Sequence, residues 1–269
     1  MTSRTPISHS LASRILFGLL ALALLPCSGT AAQAAGWGTL TGRIVYDGKA
    51  PKAEPLNVDK DQAVCNVVPP MDESIEVGSG GGLKNALIFL RTEKGIEIAP
   101  EYKDSAKKPV VVDNKGCRFE PHVSILQTGQ TLEVKNSDTV GHNTKADALN
   151  NAPFNDLIPA GTSITKTWDK AENLPVKIGC SIHTWMGGYI LVRPNPYAAV
   201  TNDKGEFTIK DLPADQELEF VLWQEKSGYL QNAKNKEAKV DKKGRFKLKL
   251  KPGENNLGDF VVSPSIFKK

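Results

Sequence analysis

The sequence predicts an all-β fold. Apolar and polar residues alternate with period two along short runs, turn signals rich in Gly, Asn and Asp separate those runs, and no stretch of helical period is long enough to compete. Residues 40–46 form the first run and close at Asp47-Gly48. Residues 86–90 follow a Gly-rich loop, and residues 123–127 and 131–135 flank Thr128-Gly129. Residues 176–178, 188–192, 206–209, 218–223 and 245–250 continue the pattern at the spacing of a β-sandwich. Gly78-Ser79-Gly80-Gly81-Gly82 lacks the Lys-Ser/Thr of a phosphate loop and precedes a strand, so it reads as a mobile connector.

Composition narrows the function. The 269 residues are 40% hydrophobic and 24% charged, which excludes a disordered chain, a collagen and a coiled coil. A formal charge of +4 gives no electrostatic reason to expect a nucleic-acid partner. Arg4 and Arg14 precede an apolar run over residues 15–25, Pro26 ends it, and Ala32-Gln33-Ala34 offers a cleavage site. Residues 1–34 therefore read as a signal peptide, and the expected location is the periplasm or the exterior. The apolar run is too short for a bilayer core of about 30 Å, so no membrane span is expected. Cys27 raises a lipoprotein alternative, which Pro26 directly before it disfavours.

The rest divides into residues 35–85, a β segment and loop; residues 86–194, a sandwich; and residues 195–269, a second β domain. The last boundary is set by Pro194-Asn195-Pro196, which cannot continue a central strand.

The chemistry concentrates in Cys180-Ser181-Ile182-His183-Thr184-Trp185-Met186, read with Gly141-His142-Asn143. Cys180, His142, His183 and Met186 are the ligand types of a blue-copper site, a trigonal His2Cys plane with a weak axial thioether. Zinc would leave the Met without a role. Any one of these residues alone is more readily a core residue; together they point to a metal.

This constellation resembles the cupredoxin family. Phe119, Pro121, Ile125, Gly129, Leu132, Val134, Asn136, Asp138, His142 and Asn143 resemble its strands before the first ligand, and Gly188-Tyr189-Ile190-Leu191-Val192 its closing strand. The two-residue gaps of the Cys-His-Met loop resemble the short loop of amicyanin-like members. The resemblance implies a Greek-key sandwich, one type 1 copper, transfer of single electrons to and from a redox protein partner, and no enzymatic chemistry. It gives Asn143 the role of tying the two ligand loops together, and makes His183 and Trp185 the surface through which electrons pass.

If Cys180 is the metal thiolate, Cys65 and Cys117 remain as a pair, and in an exported protein a disulfide is their natural state. The competing arrangement is a second metal site from Cys65, Cys117 and His122. By default His122 has a structural hydrogen-bonding role. Residues 42–48 and 203–214 also resemble the carboxypeptidase regulatory-like sandwich, so an additional small sandwich is expected from C-terminal and N-terminal segments. The copper unit would then be inserted in it or packed against it.

Three histidines after the signal are too few for a multicopper oxidase, and three Met in total argue against copper storage. The leading expectation is an exported electron carrier. The alternative is a structural or cell-surface binding β-sandwich with a vestigial or stabilising copper site.

Overall fold

Seventeen strands and two single-turn α-helices form the framework of the computed structural model, which describes residues 36–268. The expected signal peptide and Cys27 lie outside the described residues. In chain order the elements are β1 (Trp37–Tyr46), α1 (Gln62–Cys65), β2 (Leu87–Leu90), α2 (Tyr102–Ser105), β3 (Val110–Asn114), β4 (Phe119–Glu120), β5 (Val123–Gln127), β6 (Thr131–Asn136), β7 (His142–Ala146), β8 (Phe154–Ile158) and β9 (Ser163–Thr167). They continue with β10 (Val176–Gly179), β11 (Gly187–Arg193), β12 (Ala198–Val200), β13 (Glu206–Pro213), β14 (Glu217–Gln224), β15 (Gly228–Tyr229), β16 (Arg245–Lys249) and β17 (Gly253–Val262). The all-β expectation holds.

Four sheets stack face to face. The first has the order β4-β3-β6-β9 and the second β5-β11-β10-β7-β8. Their inner faces share a core containing Val112, Phe119, Leu132 and Val134 from one side and Leu126, Ile178, Ile190 and Val192 from the other. The third sheet has the order β12-β2-β14-β15 with β16 on β14, and the fourth β13-β1-β17. Leu40, Ile44, Ile88, Phe220, Phe246 and Phe260 fill the core between those two. Between the second and third sheets lie Leu87, Phe89, Val123, Leu191, Val221 and Trp223.

That middle layer explains where alternation fails. In β14, Leu218, Phe220 and Leu222 point into one core while Val221 and Trp223 are buried against the neighbouring sandwich. A strand covered on both faces reads as a continuous apolar run. The same holds for Ile190-Leu191-Val192 in β11.

β1 joins distant parts of the chain, pairing antiparallel with β13 and parallel with β17. Arg43 stands opposite Glu206 on one side and Asp259 on the other. The stretches carrying the regulatory-like resemblance are thus direct neighbours. The Gly-rich loop differs from its expected role as a mobile connector. A Cβ on Gly78 would fall 1.8 Å from the Asp203 carbonyl oxygen, and one on Gly82 would fall 2.1 Å from the Lys204 carbonyl carbon. These glycines permit close packing of two backbones rather than freedom of movement.

Candidate metal centre

Cys180 follows the end of β10, Met186 precedes β11, and His142 opens β7, so two adjacent strands of one sheet bring the two motifs together. His183 N donates to the Cys180 sulfur at 3.3 Å, and Met186 N donates to the His183 carbonyl at 2.9 Å. These bonds close the loop into turns. His142 and His183 are fully buried, and Cys180 and Met186 nearly so.

Nδ1 of His142 and Nδ1 of His183 face each other at 2.9 Å, and the Cys180 sulfur lies 3.8 Å from His183 Nδ1. The outer nitrogens are both engaged. His142 Nε2 meets Asp138 Oδ2 at 2.9 Å, and His183 Nε2 meets Asp61 Oδ2 at 2.8 Å. A carboxylate accepts only, so in the neutral rings it holds the proton on Nε2 and leaves Nδ1 a bare lone pair. Two lone pairs and a thiol sulfur then converge on one buried point.

That convergence fits a metal ion. Two ligand atoms each about 2.0 Å from one ion stand roughly 3 to 3.5 Å apart. Two unprotonated nitrogens facing each other repel unless a metal ion or a shared proton lies between them. Burial pushes the His142 imidazole below its usual pKa, and the neighbouring His183 adds to this; the bond to Asp138 opposes both without cancelling them. A neutral imidazole is the ligating form.

Asn143 braces the arrangement. Its carboxamide oxygen accepts from Ser181 N at 2.7 Å and Ile182 N at 3.1 Å, and the Cys180 thiol donates to it at 3.4 Å. Asp138 accepts from Gly116 N at 2.7 Å and Cys117 N at 2.9 Å. Trp185 packs against His183 with ring centroids 5.1 Å apart and donates from Nε1 to the Cys117 carbonyl at 3.2 Å.

Cys65 and Cys117 form a disulfide with an S–S distance of 2.01 Å. This removes the competing cysteine-based metal site. Cys117, Asp138 and His142 also cluster, but Cys117 has no thiolate to offer. His122 lies elsewhere, with Nε2 2.9 Å from Glu225 Oε1 and Nδ1 3.7 Å from Glu73 Oε2.

The electron-exchange edge expected at His183 is not at the surface. A segment that contributes no strand to the first two sheets crosses it, and Asp61 caps its imidazole. The Asp61 side chain is 43% exposed where His183 is 0%. Trp185 is half-buried. Sequence reasoning missed Asp61 as a support, since nothing local marks an aspartate 122 positions from its partner. Asp138 carried a signal, standing four residues before His142.

No family model matches the chain, and no curated protein matches it. Among solved structures, a copper-containing nitrite reductase from Thermus scotoductus SA-01 is 28% identical over 32% of this chain and 22% of its own, with a TM-score of 0.30. The chain therefore spans about a fifth of that protein's length. A purple cupredoxin from Nitrosopumilus maritimus is 21% identical, covering 32% of this chain and 99% of its own, TM-score 0.27. A reduced amicyanin variant is 22% identical, covering 40% and 98%, TM-score 0.29. Superpositions this partial leave the site to be judged by its own geometry. Among the described residues no helix is long and apolar enough to cross a membrane.

Proposed function

We propose that His142, Cys180 and His183, with Met186 as a weak fourth donor, hold one type 1 copper ion, and that the protein carries single electrons to and from a redox protein partner outside the cytoplasm. Bound there, copper supplies a one-electron couple between Cu(I) and Cu(II). The reading is carried by the two facing Nδ1 atoms, 2.9 Å apart beside a buried thiol. Asp138 and Asp61 hold the rings, Asn143 holds the Cys180 loop, and the sheets hold both loops, so little has to move when charge changes. A cage of this stiffness suits electron transfer better than bond-making chemistry.

The test is the visible spectrum of the mature protein with one equivalent of Cu(II), beside a Cys180→Ala control. An intense blue band absent from the control supports the proposal. A colourless protein with one reactive thiol overturns it.

A further inference from the structure

The two aspartates that support the imidazoles are joined through one disulfide. Asp61 precedes α1, and its carbonyl accepts from Val64 N and Cys65 N, each at 2.9 Å, so Asp61 and Cys65 belong to one helical turn. On the other side, Gly116 (φ +60°) and Cys117 (φ +54°) are consecutive left-handed residues whose two amides both point at the Asp138 carboxylate. Positive φ is unfavourable for a cysteine and is tolerated where the surroundings fix it. Cys65 and Cys117 are themselves 1% and 0% exposed. Trp185, which lies against His183, hydrogen-bonds the Cys117 carbonyl. The hydrogen bonds of the Cys65 amide, the Cys117 amide and the Cys117 carbonyl each lead to a residue that touches one of the two rings.

We infer that Asp61 and the Cys65–Cys117 disulfide act as one positioning device for the metal ligands: a latch that presses an outside segment onto His183 and fixes which ring nitrogen stays bare. The bland alternative is a disulfide that only staples the fold. Both Cys65 and Asp61 lie on a segment that contributes no strand to the metal-bearing sheets. A staple for those sheets alone would have no need of the Asp61–His183 bond. Because the bridge is buried, the latch is permanent rather than a labile switch.

Metal affinity enters only through the copper reading, on which the latch rests for its purpose; its geometry is testable in the apoprotein. Three proteins are compared: the mature chain, Asp61→Asn, and a Cys65→Ala, Cys117→Ala pair. The readouts are the rate of iodoacetamide reaction at Cys180, the tautomer of His183 by nitrogen NMR, and Cu(II) affinity. Asn at position 61 can turn an N–H toward Nε2 and drive the ring proton to Nδ1. The expected results are an Nδ1–H tautomer in Asp61→Asn, Cys180 alkylation faster by about tenfold in the cysteine pair, and affinity lowered about 10- to 100-fold in both. Combining all three substitutions should add little to either alone, as for parts of one unit.

A cysteine pair that unfolds at lower denaturant while Cys180 reactivity and the His183 tautomer stay unchanged overturns the latch and leaves a staple. If the pair does not fold, Asp61→Asn decides alone: an unchanged tautomer with unchanged Cys180 reactivity overturns it. If the unaltered protein binds no copper, the proposed function fails while the alkylation and NMR arms still judge the latch.

Discussion

The Asn143 side-chain oxygen sits 3.4 Å from the Cys180 sulfur and at the same time accepts the amides of Ser181 and Ile182. One atom therefore sets both the sulfur's surroundings and the shape of the loop after it. Replacing Asn143 with Ala strands two amides, at about 1–3 kcal/mol for each one left without water or a partner. Urea denaturation of the apoprotein should show a loss of this order. If copper binds as proposed, the thiolate band should also move; an unchanged midpoint and band would refute the brace.

Met186 is 4% exposed and packs in the same core as Cys180. Met186→Leu conserves volume, so apoprotein stability should change by less than about 1.5 kcal/mol. If the thioether is the weak fourth donor, its removal favours the ion of lower charge and the reduction potential should rise. Voltammetry separates the roles, because a residue that only fills space would leave the potential where it was.

His122 predicts a pH dependence. Burial works against its charge, but the hydrogen bond and charge of Glu225, followed by the charge of Glu73, outweigh that and raise its pKa above the usual histidine value. The folded state thus favours the imidazolium. Its contribution is complete below the unfolded value of about 6.5 and is lost as pH rises through the higher folded value. Stability of the apoprotein should fall more steeply above pH 6.5 than that of His122→Asn. Parallel curves for the two proteins would mean that this imidazole is neutral in the fold.

Glu172 is 2% exposed, and its carboxylate collects the amides of Leu149, Asn150 and Asn151 together with the Asn151 side chain. Glu172→Ala leaves these donors facing an empty space. Thermal unfolding should show one of the larger single-site losses in the molecule, on the order of 3 kcal/mol. A shift within ±0.5 kcal/mol would show that water replaces the carboxylate without cost.

Much of this is legible in the sequence. The period-two runs gave the fold class, and Cys180, His183 and Met186 stood out because ligand types crowded one short loop. What stayed hidden has physical causes. β9 has only half-buried and exposed residues, so Ser163-Ile164-Thr165-Lys166-Thr167 carries little inward-facing apolar signal. The first half of β17, Gly253-Glu254-Asn255-Asn256, is without an apolar side chain and mostly exposed, and β1 offers it backbone partners. Asp61 acts through a contact across 122 positions, and no spacing rule reaches that far. The Gly-rich loop misled because glycine serves close packing as readily as mobility.

The parallel pairing of β1 with β17 also sets an order of events. Every strand of the first two sheets has been made once the chain reaches Arg193, and those strands lie near one another in sequence. β1 must wait for a neighbour roughly two hundred residues downstream, a closure that is slow to find. In that interval Val123 and Leu191 have no opposing sheet to cover them, since Leu87, Phe89, Val221 and Trp223 belong to the half still unformed. A newly made molecule therefore brings His142, Cys180 and His183 together while still bearing a sticky apolar flank. Its yield should depend on how quickly the final strand arrives to finish the neighbouring sandwich.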